Sequence, residues 1–175
     1  MVVVKRIFKY LQGTIEYGLW YPRSKDFNMK AYTNAYWDGS LDDRKSTSGA
    51  SFHASDYLVS WVSKKQGSIS LSTAEVEYIS IVTCCTHILS MKKTLKDIHV
   101  KFPNPIPIMC DNTSAISISK NPVMHSKTKH IPIKYNFLRE QIVANTVKLV
   151  YVPTKEKLES IFTKPLAREP FKYLR

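Results

Sequence analysis

Apolar side chains in the first eleven residues fall at Val3, Val4, Ile7, Phe8 and Leu11, three and four apart, with Lys5, Arg6 and Lys9 between them. This spacing predicts a basic amphipathic helix over Val2–Leu11, ended at Gly13 and packed on its own domain, with a membrane or partner role as the alternative. Gly18-Leu19-Trp20-Tyr21-Pro22 reads as a short strand closed by proline, and Arg23-Ser24-Lys25-Asp26 as a polar connector that marks a boundary. Three strands follow over Asn28–Trp37, Thr47–Ala54 and Tyr57–Val62, with connections short enough for an antiparallel meander. Ser72-Thr73-Ala74-Glu75 has the spacing of a capping box, so a long helix should start there. Its buried stripe is Val76, Ile79, Val82, Ile88, Met91 and Leu95, and it runs out near Asp97, ahead of Pro103.

Beyond Pro103 the apolar run Ile106–Asp111 predicts a strand ending in a carboxylate, and Asn112–Lys120 a helix. A basic loop over Asn121–His130 leads to a helix over Ile131–Ala144, with Pro132 tolerated in its first turn. Val147–Pro153 reads as a strand and Lys155–Phe162 as a last short helix before Pro165. After the boundary the order is β-β-β-α-β-α-α-β-α, a mixed α/β pattern with no internal repeat.

Composition changes this picture in two ways. At 175 residues, 43% hydrophobic and 23% charged, the chain can bury a core of one domain. The 26 Lys+Arg against 14 Asp+Glu leave a formal charge of +12, a field that draws polyanions, nucleic acid foremost, although basic residues also serve as solvated surface. Cys84, Cys85 and Cys110 cannot all pair and have no zinc-ligand spacing, which points to a reducing, intracellular setting. No apolar stretch reaches the roughly 18 residues of a membrane span. Met1–Val4 followed by Lys5 and Arg6 has the wrong order for a secretory signal, so the chain is expected to begin inside a longer reading frame. Aromatic residues on the predicted strands and helices, such as Tyr135 and Phe137, are expected to pack in the core rather than stack on bases.

Three strings then carry a resemblance: Ser-Leu-Ser-Thr-Ala-Glu-Val-Glu-Tyr (70–78), Arg44-Lys45-Ser46-Thr47-Ser48-Gly49, and Cys110-Asp111-Asn112-Thr113-Ser114-Ala115. With Ser126–Ile131, Phe137–Glu140 and Ile161–Leu166 they resemble, in order, the ribonuclease H region of copia-type LTR retrotransposon Pol polyproteins. Lys5–Thr14 resembles the tail of the preceding reverse-transcriptase region, so the resemblance divides the chain into residues 1–25 and a ribonuclease H-like domain over 26–175. It implies a five-stranded mixed sheet with flanking helices that hydrolyses the RNA strand of RNA–DNA hybrids. Two Mg²⁺ ions would sit about 3.5–4 Å apart, held by carboxylates from the first strand, the long helix, the fourth strand and the last helix.

Carried over residue by residue, that acidic set is only half present. The family's Tyr-Thr-Asp-Ala-Asp-Trp is here Tyr32-Thr33-Asn34-Ala35-Tyr36-Trp37, so the neutral amide of Asn34 replaces the first carboxylate. In the long helix Glu75 has a capping job available, so Glu77 is the expected metal ligand, while a helix N-terminus also favours any acid. Asp111 matches the third carboxylate; the residues alone would equally allow it to cap the next helix. Ser160 stands where the fourth aspartate belongs. Glu159 is rotated about 100° from that position on a helix, and Asp38, beside Gly39, is expected past the strand end. Asn34, Glu77, Asp111 and Ser160 are therefore the expected site, with Glu77 and Asp111 as its metal ligands.

Arg44, Lys45, Lys64, Lys65, Lys127, Lys129 and His130 are the expected phosphate contacts, although any one lysine could be mere solvated charge. His125 and His130 lack a cysteine partner for a zinc site. No Gly-x-Ser-x-Gly or Gly-x-x-x-x-Gly-Lys motif competes. The expectation is a hydrolytically lost or impaired domain with weak or absent Mg²⁺ binding; the alternative is a non-catalytic module for hybrid or duplex nucleic acid.

Overall fold

The computed structural model describes residues 1–19, 21, 23, 28–37, 44–120, 132–158, 160–163 and 166–174. Its elements are α1 (Val2–Gly13), β1 (Met29–Tyr36), β2 (Thr47–Ala54), β3 (Tyr57–Lys65), α2 (Thr73–Asp97), β4 (Ile106–Cys110), α3 (Thr113–Lys120), α4 (Pro132–Val143), β5 (Val147–Tyr151), a 3₁₀ turn at Thr154–Glu156, α5 (Ser160–Thr163) and α6 (Arg168–Leu174). The strands form one mixed sheet in the order β3-β2-β1-β4-β5. The β1–β2 and β2–β3 pairs are antiparallel, as the short connections predict, and the β1–β4 and β4–β5 pairs are parallel, each reached through helices.

The meander and the crossovers follow the sequence pattern closely, and β3 extends three residues beyond the expected Val62 to Lys65. The main core lies between the sheet and α2, where Phe52, Tyr78, Ile81, Ile88, Ile106 and Ile108 are almost fully buried. The predicted stripe on α2 is too narrow. Val76, Ile79, Val82 and Ile88 are buried, but so are Tyr78, Ile81, Cys84 and Cys85, because α3 and α4 cover a second side of the helix. Met91 and Leu95 are only partly buried.

α2 begins where its cap predicts. Ser72 has extended backbone and its Oγ accepts the Glu75 N–H at 3.2 Å. The return bond goes one residue further back than in a standard box, with Glu75 Oε2 accepting the Leu71 N–H at 2.9 Å. Buried Gln66 ties this entry to the sheet, donating to Ser48 Oγ at 2.8 Å and to the Val76 carbonyl at 3.0 Å.

Four expectations need correction. The helix predicted over Val2–Leu11 forms, but none of its residues is buried; Tyr10 and the following Tyr17 meet the Phe171 ring. Gly18, Leu19 and Tyr21 are not in a strand; the Tyr21 hydroxyl instead donates to the Leu58 carbonyl at 2.8 Å. The last helix, predicted as continuous over Lys155–Phe162, is broken into the 3₁₀ turn and α5, with Lys157 extended between them (φ −82°, ψ 101°), and α6 follows unpredicted. Finally, Tyr36, Trp37 and Trp61 lie exposed on or beside strands instead of packing inward, whereas Phe137 does pack against the core.

Candidate active site and its basic rim

The C-terminal ends of β1 and β4 lie side by side. Tyr32 is level with Met109 in their parallel register, so Asn34 and Asp111, each two residues further on, emerge at the same end of the sheet. α2 is pinned across that end by a buried hydroxyl pair. Ser80 Oγ lies 2.8 Å from Thr33 Oγ1 and donates to the Asn34 carbonyl at 2.6 Å. Glu77 is three residues earlier and so on the same helical face; its Oε1 accepts the Ala35 N–H at 3.1 Å. Glu77 is buried and aimed at the strand ends, while Glu75 is spent on the helix cap.

Asp111 is not a helix cap. Asn112 takes that role, its Oδ1 accepting the Ala115 N–H at 2.9 Å. The Asp111 carboxylate turns instead toward the segment after β5. The Val152 N–H donates to the Cys110 carbonyl at 3.0 Å, which carries Thr154 alongside. Thr154 Oγ1 donates to Asp111 Oδ2 at 2.6 Å.

Lys157 Nζ donates to Asp111 Oδ1 at 2.8 Å and to Asn34 Oδ1 at 3.2 Å, from a residue that is 0% exposed. Burial alone would raise the Asp111 carboxyl, but the bonds from Lys157 and Thr154, with the lysine's charge, outweigh it and hold Asp111 below the ordinary carboxylate range.

Glu77, Asp111 and Cys110 each offer a ligand atom within 4.8 Å of the others. The Cys110 thiol is a poor anionic ligand, because burial pushes its pKa up to about 12 and leaves it protonated at neutral pH. The structure thus brings Glu77, Asp111 and Asn34 together. Ser160 is buried at the start of α5, with its N–H bonded to the Lys157 carbonyl at 3.3 Å. Asp38 and Glu159 lie outside the described residues.

Among the described residues the donor set does not fit two divalent cations: such a pair wants several carboxylates, and here the two described carboxylates, Glu77 and Asp111, share the pocket with an amide, a protonated thiol and an ammonium. Lys157 and Thr154 were missed by the sequence reading. The available signal was a lysine three residues before Ser160, beside a motif in which a neutral serine stands where the family has an acid.

Among the expected phosphate contacts, Arg44 and Lys45 lead into β2, while Lys64 and Lys65 pair with Ser48 and Thr47 across the β2–β3 ladder. The four are therefore at one end of the hairpin, the end where Asn34 emerges from β1 opposite Gly49. Arg44, Lys64 and Lys65 are exposed. Lys127, Lys129, His125 and His130 lie outside the described residues. No helix among the described residues is long and apolar enough to cross a membrane.

No family model matches the chain. It is 34% identical over 168 residues to the retrovirus-related Pol polyprotein from transposon RE2 of Arabidopsis thaliana, and 35% identical over the same length to that from transposon RE1. Each alignment covers 96% of this chain and 12% of the relative, so the chain spans about an eighth of these polyproteins. Among solved structures it resembles LC11-RNase H1, isolated from compost by a metagenomic approach, at a TM-score of 0.52 and 12% identity, covering 74% of this chain and 87% of that one. The same enzyme in complex with RNA/DNA hybrid gives 0.51 at 8% identity, covering 74% and 88%. At such identities these two structures speak to the fold alone.

Proposed function

The chain is a ribonuclease H-like region of a copia-type, retrovirus-related Pol polyprotein, and from that premise we propose that it holds RNA–DNA hybrid or duplex nucleic acid with hydrolysis lost or strongly impaired. One observation carries this reading. Of the four positions where the family places acids, only Glu77 and Asp111 bear carboxylates; Asn34 and Ser160 are neutral. Four acids would supply about −4 to balance two divalent ions, and two supply −2. Metal stabilisation of the transition state is worth several kcal/mol, and each ~1.4 kcal/mol is tenfold in rate. Turnover should therefore fall by roughly three orders of magnitude or more.

Binding is less affected than chemistry. Arg44, Lys45, Lys64 and Lys65 sit at the end of the sheet where Asn34 and Asp111 emerge, suited to phosphates and carrying no base readout. LC11-RNase H1 is known in complex with RNA/DNA hybrid, which supports the same class of partner here. The fully exposed α1 supports assigning residues 1–25 to a neighbouring reverse-transcriptase region whose surface they would complete.

The experiment is incubation of the full chain with labelled RNA–DNA hybrid and Mg²⁺ across a salt series. Expected are a linear fall of log affinity with log salt worth several phosphates, and intact RNA. RNA cleavage that disappears in Glu77→Gln would overturn the loss of hydrolysis, and a flat salt response would remove the phosphate-binding role.

A further inference from the structure

We propose that Lys157 is this pocket's resident cation, its ammonium standing where a divalent ion would otherwise bind and so excluding metal from the acidic cluster. The inference rests on the reading that residues 34, 77, 111 and 160 mark a former metal site.

Place is the first argument. Lys157 Nζ bridges Asp111 Oδ1 and Asn34 Oδ1, at 2.8 and 3.2 Å. These are the two side chains that leave the adjacent ends of β1 and β4, so the ammonium lies in the gap that a metal shared by them would fill.

Ligand capacity is the second. Both Asp111 oxygens are engaged, one by Lys157 and the other by Thr154, and Glu77 Oε1 already accepts the Ala35 N–H. A magnesium ion needs oxygens at about 2.0–2.1 Å in near-octahedral array, and Asp111 Oδ1 cannot serve both cations without bringing them into repulsive contact.

Charge is the third. Among the described residues Glu77 and Asp111 give −2, Lys157 returns +1, and the −1 left over is far from what two divalent ions require.

Anchoring is the fourth. Lys157 is no surface side chain that swings away at little cost: it is 0% exposed, and the residue is fixed on both sides by the Lys157 N–H to Thr154 carbonyl bond and the Ser160 N–H to Lys157 carbonyl bond, each 3.3 Å. Releasing it would strand a buried charge or break this turn.

The neutral residues at 34 and 160 and the lysine at 157 are then mutually consistent. Two carboxylates held this close together need a neutralising partner, and the buried Lys157 ammonium supplies one. Restoring the missing acids alone should not restore the metal.

The test is Mn²⁺ titrated into the ¹⁵N-labelled full chain, following paramagnetic broadening of the amides of Ala35, Glu77 and Asp111. No saturable broadening is expected in the wild type, and saturable broadening there would overturn the proposal. The Asn34→Asp/Ser160→Asp variant, with lysine retained, is expected to remain without a saturable site. Adding Lys157→Gln should create a saturable site. Equal Mn²⁺ affinity with and without the lysine would overturn the proposal, as would no binding by a folded triple variant. Should Lys157→Gln abolish folding, the wild type and the lysine-retaining variant decide. Hybrid cleavage by the wild type would count against the functional reading, whereas this titration involves no turnover, so the two failures are distinguishable.

Discussion

The two ends of the β1–β2 pair bury a basic side chain in opposite ways. At the end where β1 leaves the sheet, Lys157 is sealed from solvent against the Asp111 carboxylate. At the other end His53 is also buried, edge-on to the Tyr32 ring and 3.0 Å from Ser51 Oγ through Nε2, while its Nδ1 has no hydrogen-bond partner. Burial, followed by the charge of nearby Lys30, lowers the His53 pKa from 6.5 to about 4, and Asp56 offsets this only in part. Burial with a cation nearby disfavours the charged form of His53, whereas Lys157 is buried with a carboxylate oxygen 2.8 Å from its nitrogen. Between the two, the Ser80–Thr33 hydroxyl pair joins helix to strand with no charge at all.

The strongest way to break this contrast is Lys157→Met. Removing one partner of a buried pair costs about 3–5 kcal/mol, and because the Asp111 side chain retains 16% exposure the loss should be near the lower bound, read from urea unfolding at neutral pH. Adding Asp111→Leu should recover most of it, since an apolar pair of similar size replaces both charges. If the double variant is no more stable than the single, the ion pair is not what Lys157 contributes.

Acid sharpens the comparison at the opposite end. The unfolded chain protonates His53 near pH 6.5 and the folded chain only near pH 4, so the unfolded state binds more protons between these values and stability falls as pH drops through that window. The loss should approach about 2–3 kcal/mol by pH 4, at 1.36 kcal/mol per pKa unit, and His53→Phe should flatten it. Asp111, whose carboxyl is held low, contributes stability present above the unfolded carboxylate pKa and lost only as pH falls through its lower folded value. The two windows therefore separate in a pH series of unfolding midpoints. The smallest effect belongs to the neutral contact: Ser80→Ala should cost about 1–2 kcal/mol, independent of pH between 5 and 8.

Legibility in the sequence followed the length and locality of each signal. The β2 bounds and the α2 start could be read because alternation and the Ser72–Glu75 cap act over a few residues. The Glu77 and Asp111 pairing was reachable through the family strings. What was missed depends on distant partners. α2 is buried on two sides because α3 and α4 return to it, which no periodicity within α2 records. The break at Lys157 could not be seen in the Lys155–Phe162 pattern, because the partners that draw its side chain inward are on β1 and just past β4. The exposed apolar face of α1 misled for the complementary reason: helical spacing shows that a face exists, not what covers it.

Lys157 and Asn34 are 123 positions apart in the chain. Closing so long a loop is entropically demanding, and contacts of this span form after local ones have lowered the cost. The meander and α2 can therefore assemble during synthesis with their acidic end still open to water, and the bolt across it slides home only when the last strand and the turn behind it have emerged.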